Sequence, residues 1–145
     1  MLATNKYPAT YLKERKRDVA AQLDSFEALA ASGRAGSEAG KKAYGDALAA
    51  VEAAFCANLI QALDHAFVHR TRGQEGKDGN ALNEVRMLCA SLQTADAVLM
   101  ADKTIKYDPA RAVSGIAPGE KISLRVAVTR RLVDAFLAGI EAKFS

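Results

Sequence analysis

The chain has 145 residues, is 50% hydrophobic and 26% charged, and carries a net charge of +3. These values fit one globular domain; they exclude a disordered acidic or basic tail protein and fall short of a histone-like cationic excess. Aromatic residues make up 6% and tryptophan is absent, so alanine fills much of the apolar quota, which favours close-packed helices over a sheet of β-branched residues.

The opening MLATNKYPATYLKERKRD lacks the apolar core of a signal peptide, and no later run reads as membrane-spanning. A cytoplasmic protein with no membrane partner is therefore expected. Tyr7-Pro8 opens a first helix over about residues 8–31, with Thr10 as its cap. Leu12, Val19, Leu23, Phe26 and Ala30 recur at three- and four-residue steps as its buried stripe. Lys13, Arg15, Lys16 and Arg17 wrap its early turns, the pattern of a solvated basic face. Residues 31–40, ASGRAGSEAG, then form a connection between helices.

The second helix is expected over about residues 38–71, with Tyr44, Leu48, Val51, Phe55, Leu59, Ala62, Leu63 and Ala66 facing inward. RGQEGKDGN stops it through Gly73, Gly76 and Gly79. Asn80 reads as the cap of a third helix over about residues 80–100, carrying Leu82, Val85, Leu88, Cys89 and Leu92. Cys56 and Cys89 lie in apolar helical surroundings, so they read as free buried thiols of a reducing compartment.

After Met100 the period shortens. KTIKYDP reads as a strand over about residues 103–108, and a second is expected within about 112–122. Ala117-Pro118-Gly119-Glu120 has the residue order of a type II turn. Ser123 caps a last helix over about residues 123–144, with Leu124, Val128, Leu132, Phe136, Ile140 and Phe144 buried. The predicted fold is a mainly α, single-domain four-helix antiparallel bundle, with a short β-hairpin or ribbon between the third and fourth helices.

The polar chemistry gathers in HAFVHRTRGQEGKDGNALNEVR, residues 65–86. His65 and His69 are one turn apart, about 40° around the helix, which is also the spacing of paired metal ligands. No third histidine exists, the glutamate of a zinc-protease helix is missing, and Glu84, Asp96 or Cys89 has no spacing that singles it out, so no metal and no cofactor is expected. Asn58 and Arg72 fall on the same helix edge as the histidines, which points this row toward the seam between helices. Arg70, Arg72, Lys77 and Arg86, near Asn83 and Glu84, form an anion-recognising set because guanidinium groups offer a fork of donors. Lys103 and Lys106 extend that surface from the strand.

Two function classes follow. One is a binding module in which Asn58, Arg70, Lys77, Asn83, Glu84, Arg86, Lys103 and Lys106 recognise an acidic or phosphate-bearing partner, nucleic acid included. The alternative is a metal-independent ribonuclease or hydrolase, with His69 as general acid/base, His65 assisting, and Arg72 or Arg86 steadying phosphate charge. Against both stands a structural role, in which the arginines bridge Asp64, Glu75, Asp78 and Glu84 around a helix corner. Homodimerisation by a leftover apolar stripe or by the β edge is compatible with the pattern. The G-x-x-x-x-G-K-[ST] loop of a nucleotide hydrolase and the E-x-x-H pairs of a di-iron bundle are absent.

Overall fold

The computed structural model describes residues 3–33 and 36–145. It is mainly helical, with α1 (Ala9–Ser32), α2 (Glu38–Ala66), α3 (Arg72–Glu75), α4 (Ala81–Leu92) and α5 (Val126–Phe144). Helix α5 packs against each of the other four and is the centre of the core. Its face Leu132, Val133, Phe136, Leu137, Ile140 and Phe144 is buried, at the three- and four-residue steps that its sequence shows.

Helix starts follow local chemistry where a side chain can act as a cap. Ser37 accepts a hydrogen bond from the Gly40 N–H, and Asn80 accepts from the N–H groups of Leu82 and Asn83. Two expected caps are not used. Helix α1 begins after Pro8 rather than at Thr10, since proline at the boundary has no N–H to satisfy. Helix α5 begins after Arg125 rather than at Ser123, and its first N–H, from Val126, is taken by the Glu52 carboxylate of α2 at 3.0 Å. Positions 34 and 35 of the expected connection lie outside the described residues.

The second helix ends five residues before its expected limit. The Phe67 ring is fully buried, edge-on to Tyr7, Tyr11 and Phe136, with centroids 4.9, 5.5 and 5.7 Å away. Seating it turns the chain: the Phe67 N–H bonds back to Asp64 and His65, and Arg70 leaves the helix to bridge in parallel with Thr4. The glycine-rich stretch then contains α3, a single turn. Gly76 and Gly79 follow at φ of +82°, and a Cβ at Gly79 would collide with the Lys106 carbonyl, so glycine is required there.

The inward face of α2 also differs from the expected one. Cys56, Leu59, Ile60 and Leu63 are buried, whereas Val51 and Ala62 are exposed and Tyr44, Leu48 and Phe55 only half-buried. Alanine gives α2 an 18-residue window of mean hydropathy 1.3, so this helix is long and apolar enough to cross a membrane, contrary to the reading of the sequence. That is a statement of length and composition only.

The third helix stops at Leu92 instead of near Met100. The Ser91 hydroxyl accepts from the Met100 N–H at 2.9 Å, and Ala97 takes a left-handed conformation at φ +47°. No β-hairpin forms: among the described residues there is no strand, and the one bridge in this region joins Val98 to Lys121. The segment from 93 to 125 is an ordered loop. Its apolar residues Leu99, Ile105, Ile122 and Leu124 are buried, which is why an alternating pattern arose without a ladder. Its backbone is held by α4: the buried Glu84 carboxylate accepts from the N–H groups of Val113 (2.9 Å) and Ser114 (2.8 Å). The type II turn is present, with Gly119 at φ +92° and the Glu120 N–H donating to the Ala117 carbonyl at 3.0 Å.

Glu84→Gln would replace one acceptor oxygen with a donor that faces a backbone donor. A loss of about 1–3 kcal/mol in urea unfolding is expected, with faster amide exchange at Val113 and Ser114. Unchanged exchange there would mean that the carboxylate does not hold the loop.

Candidate functional site

The corner from the end of α2 to the start of α4 is organised by one carboxylate. Glu75, at 0% exposure, lies between two guanidinium groups. Arg70 donates to it through Nε at 3.0 Å, Arg86 through Nε at 2.9 Å and also through Nη2, and Asn83 through Nδ2 at 3.1 Å. Arg70 is itself buried; it donates to the Phe67 carbonyl at 3.0 Å and to Asp64 at 2.7 Å, and its guanidinium stands 5.1 Å from the Phe136 ring centroid. Burial by itself pushes the Glu75 carboxyl up. The Arg86 hydrogen bonds, the charges of Arg70 and Arg86 and the Asn83 bond outweigh it and hold the group below the ordinary carboxylate value. The Glu75 bonds in turn raise Arg86. The acceptor sites of this carboxylate are filled by protein donors, which leaves it no capacity to bind a ligand or move a proton.

Eight of the anticipated site residues divide into three groups. Arg70, Asn83 and Arg86 join this network. Glu84 faces the other way, into the 93–125 loop. Asn58, His65, His69 and Lys77 are exposed, so the row that includes both histidines faces solvent instead of the helix seam. Asn58 and His65 lie on the side of α2 opposite its buried face of Cys56, Leu59, Ile60 and Leu63, whereas His69 and Lys77 lie beyond the end of that helix. Lys106 lines a small cleft of about 210 Å³ with Asp78, Asp108 and Arg111, apart from Lys103. Cys89 donates to the Ile60 carbonyl at 3.7 Å, and burial pushes its thiol up to about 12, so it is neither a nucleophile nor a free ligand. Among the described residues, no three His, Cys, Asp or Glu side chains come together as metal ligands.

A second arrangement is formed only by folding. Arg72 from α3, Arg86 from α4 and Lys103 from the loop converge on a cavity of about 600 Å³, with Met87, Ala90 and Met100 as its apolar wall. Asp102 is the acid of this lining and meets Arg72 at 3.6 Å. Neither histidine lines it. Arg86 lines this cavity while its Nε and Nη2 hold Glu75, so the buried network fixes one of the three cations in place. Met87, Ser91, Met100 and Asp102 belong to this cavity and are not signalled by the sequence: they come from two separate segments with no motif spacing. No protein-family model matches the chain, and neither a curated protein nor a solved structure is significantly similar to it.

Glu75→Gln would leave two buried or half-buried guanidinium groups facing an amide, and a loss of about 3–5 kcal/mol in denaturant unfolding is expected. Because the folded value is lowered, wild-type stabilisation is complete above the ordinary carboxylate range near ~4.3 and is lost as pH falls through the lowered value. Stability of the variant should accordingly fall less steeply below that range. Exposed His69, by contrast, should tolerate alanine with a change below about 0.5 kcal/mol; a larger loss would show that it satisfies a folded contact.

Proposed function

We propose that this chain is a binding module, a helical bundle that presents a cationic cavity to an anionic, phosphate-bearing ligand. The observation that carries the reading is the convergence of Arg72, Arg86 and Lys103, from three different segments, on one cavity of about 600 Å³. A volume of that order suits a small phosphate-bearing molecule or the end of a larger one. Guanidinium groups donate in a planar fork that matches phosphate oxygens, and an ammonium adds a compact charge beside them.

The division of labour among the three cations supports this reading. Lys103 has no ion-pair partner among the described residues, and Arg72 has one partner at 3.6 Å with half of its side chain exposed, so both are free to turn to a ligand. Arg86 is held by Glu75 and supplies a fixed donor edge. The apolar wall of Met87 and Met100 would lie against a base, a ring or an alkyl portion, with Met100 49% exposed before binding. Catalysis by His69 is not part of the proposal, because no observation places the histidine at this cavity.

Calorimetric titration with inorganic pyrophosphate, and anisotropy with a labelled single-stranded RNA, test the reading. Binding to either is expected to weaken about tenfold in Lys103→Ala and in Arg72→Ala, with a shallower salt dependence in each variant. Salt-independent binding, or binding unaffected by both changes, would remove the cavity from consideration. Arg86 is unsuitable for this test, since its loss would also disturb Glu75.

A further inference from the structure

The first half of α2 packs in an unusual way for a helix of its length. From Glu38 to Phe55 it has no buried side chain among the described residues; the buried set begins at Cys56. This stretch is about 27 Å long at 1.5 Å per residue, and a helix of that size is marginal in water without tertiary packing. Together with the second half of α1 it forms an apolar groove of about 470 Å³, lined by Ala21, Phe26, Leu29, Val51 and Phe55 with Gln22 and Ser25 at its edge. The Phe26 and Phe55 rings stack at 4.7 Å as its floor, while Leu29 and Val51 are 53% and 57% exposed.

We propose that a second copy of this chain docks on this groove about a two-fold axis, with Leu29 and Val51 of each protomer against the Phe26–Phe55 floor of the other. The size of the face is one reason. A hairpin two helices wide, about 19 Å, over about 27 Å offers roughly 500 Å² of projected face per protomer, so the pair reaches the order of 1,000 Å² at which specific interfaces begin.

Charge is the second reason. In a two-fold interface the residues at the axis meet their own copies, so a self-pairing patch needs a centre free of charge. Here the one charged residue of α2 between Ala47 and Asn58 is Glu52, and it is turned away to the Val126 N–H and to Arg125 at 3.1 Å. Charges stand at the ends instead. Glu14 lies on the same α1 stripe as Gln22, Ser25 and Leu29 and has no ion-pair partner among the described residues, whereas neighbouring Asp18 is held by Arg15 and Arg17. In an antiparallel pairing centred near Val51, Glu14 falls about 17 Å from the axis, outside the uncharged centre. A partner of single-sign charge would find no matching field in this groove.

Light scattering after gel filtration, over a concentration series, tests the proposal. The wild-type chain is expected to have the mass of two copies at high concentration. Val51→Asp and Leu29→Asp should each lower it about twofold with the helical circular dichroism kept. A third variant does not rely on disruption: Val51→Cys, near the axis, should be joined to its copy when oxidised glutathione accepts the two electrons from the thiol pair, whereas the wild type, with both cysteines buried, should not. A wild type that stays monomeric would overturn the proposal, as would a dimer that survives both aspartate changes or a dimer that the Val51→Cys disulfide does not link. A monomer that floats with phosphatidylcholine vesicles would assign the groove and α2 to a lipid surface instead.

Discussion

A carboxylate with no access to water cannot remain ionised unless its neighbours replace the hydration that it has lost, and Glu75 sets that requirement at the centre of this protein. Four donors from Arg70, Asn83 and Arg86 meet it, and they come from both sides of α3. Removing any of them would leave charge in a low-dielectric site, which costs several kcal/mol and far exceeds the worth of a surface pair. The positions of α2, α3 and α4 are therefore fixed relative to one another by a bond set that is satisfied only as a whole. The backbone of the same residue extends the constraint, because the Glu75 carbonyl accepts from Asn80 and, at 2.9 Å, from Lys143 on α5. Arg70 carries it further, to the Phe136 ring and to the N-terminal segment through Thr4.

The long loop before α5 depends on a similar device. A 33-residue stretch without regular structure ordinarily leaves many backbone groups unpaired. Here Glu84, one helical turn from Asn80, reaches out of α4 and collects two N–H groups, and Tyr107 donates to the Ile116 carbonyl at 2.7 Å. Four buried apolar side chains pin the loop between these bonds. This ordering carries Lys103 and Met100 to the side of α4 where Arg86 emerges, so the cationic cavity is a consequence of how the loop is anchored.

Arg86 therefore belongs to both the scaffold and the proposed ligand site. It neutralises Glu75 and lines the cavity. An arginine that is held in this way loses little rotamer entropy when a ligand arrives, whereas Arg72 and Lys103 must give up their freedom. The opposite end of the molecule works by different physics. There the first half of α2 contributes no buried side chain among the described residues, and exposed Leu29 and Val51 leave an apolar face beside the stacked Phe26 and Phe55 rings.

Helical character, the free buried cysteines, the Asn80 cap, the proline-glycine turn and most of the buried stripe of α5 were legible in the sequence, because each depends on residues within a few positions of one another. What depended on distant partners was not. Phe67 ended α2 because an aromatic pocket formed by Tyr7, Tyr11 and Phe136 awaited its ring, and Glu52 replaced Ser123 as the start of α5 from across the fold. The expected strands did not pair, since burial of Ile105 and Ile122 produces the same alternation without a ladder. The polar residues of 65–86 were correctly recognised as a corner, yet their roles were exchanged: Glu75 and Arg70 went inside and the histidines outside. The sequence by itself determined local conformation and which residue types had to be buried; only the tertiary structure decided which charges would face each other, because desolvation and pairing are properties of a position in space and not of a position in the chain.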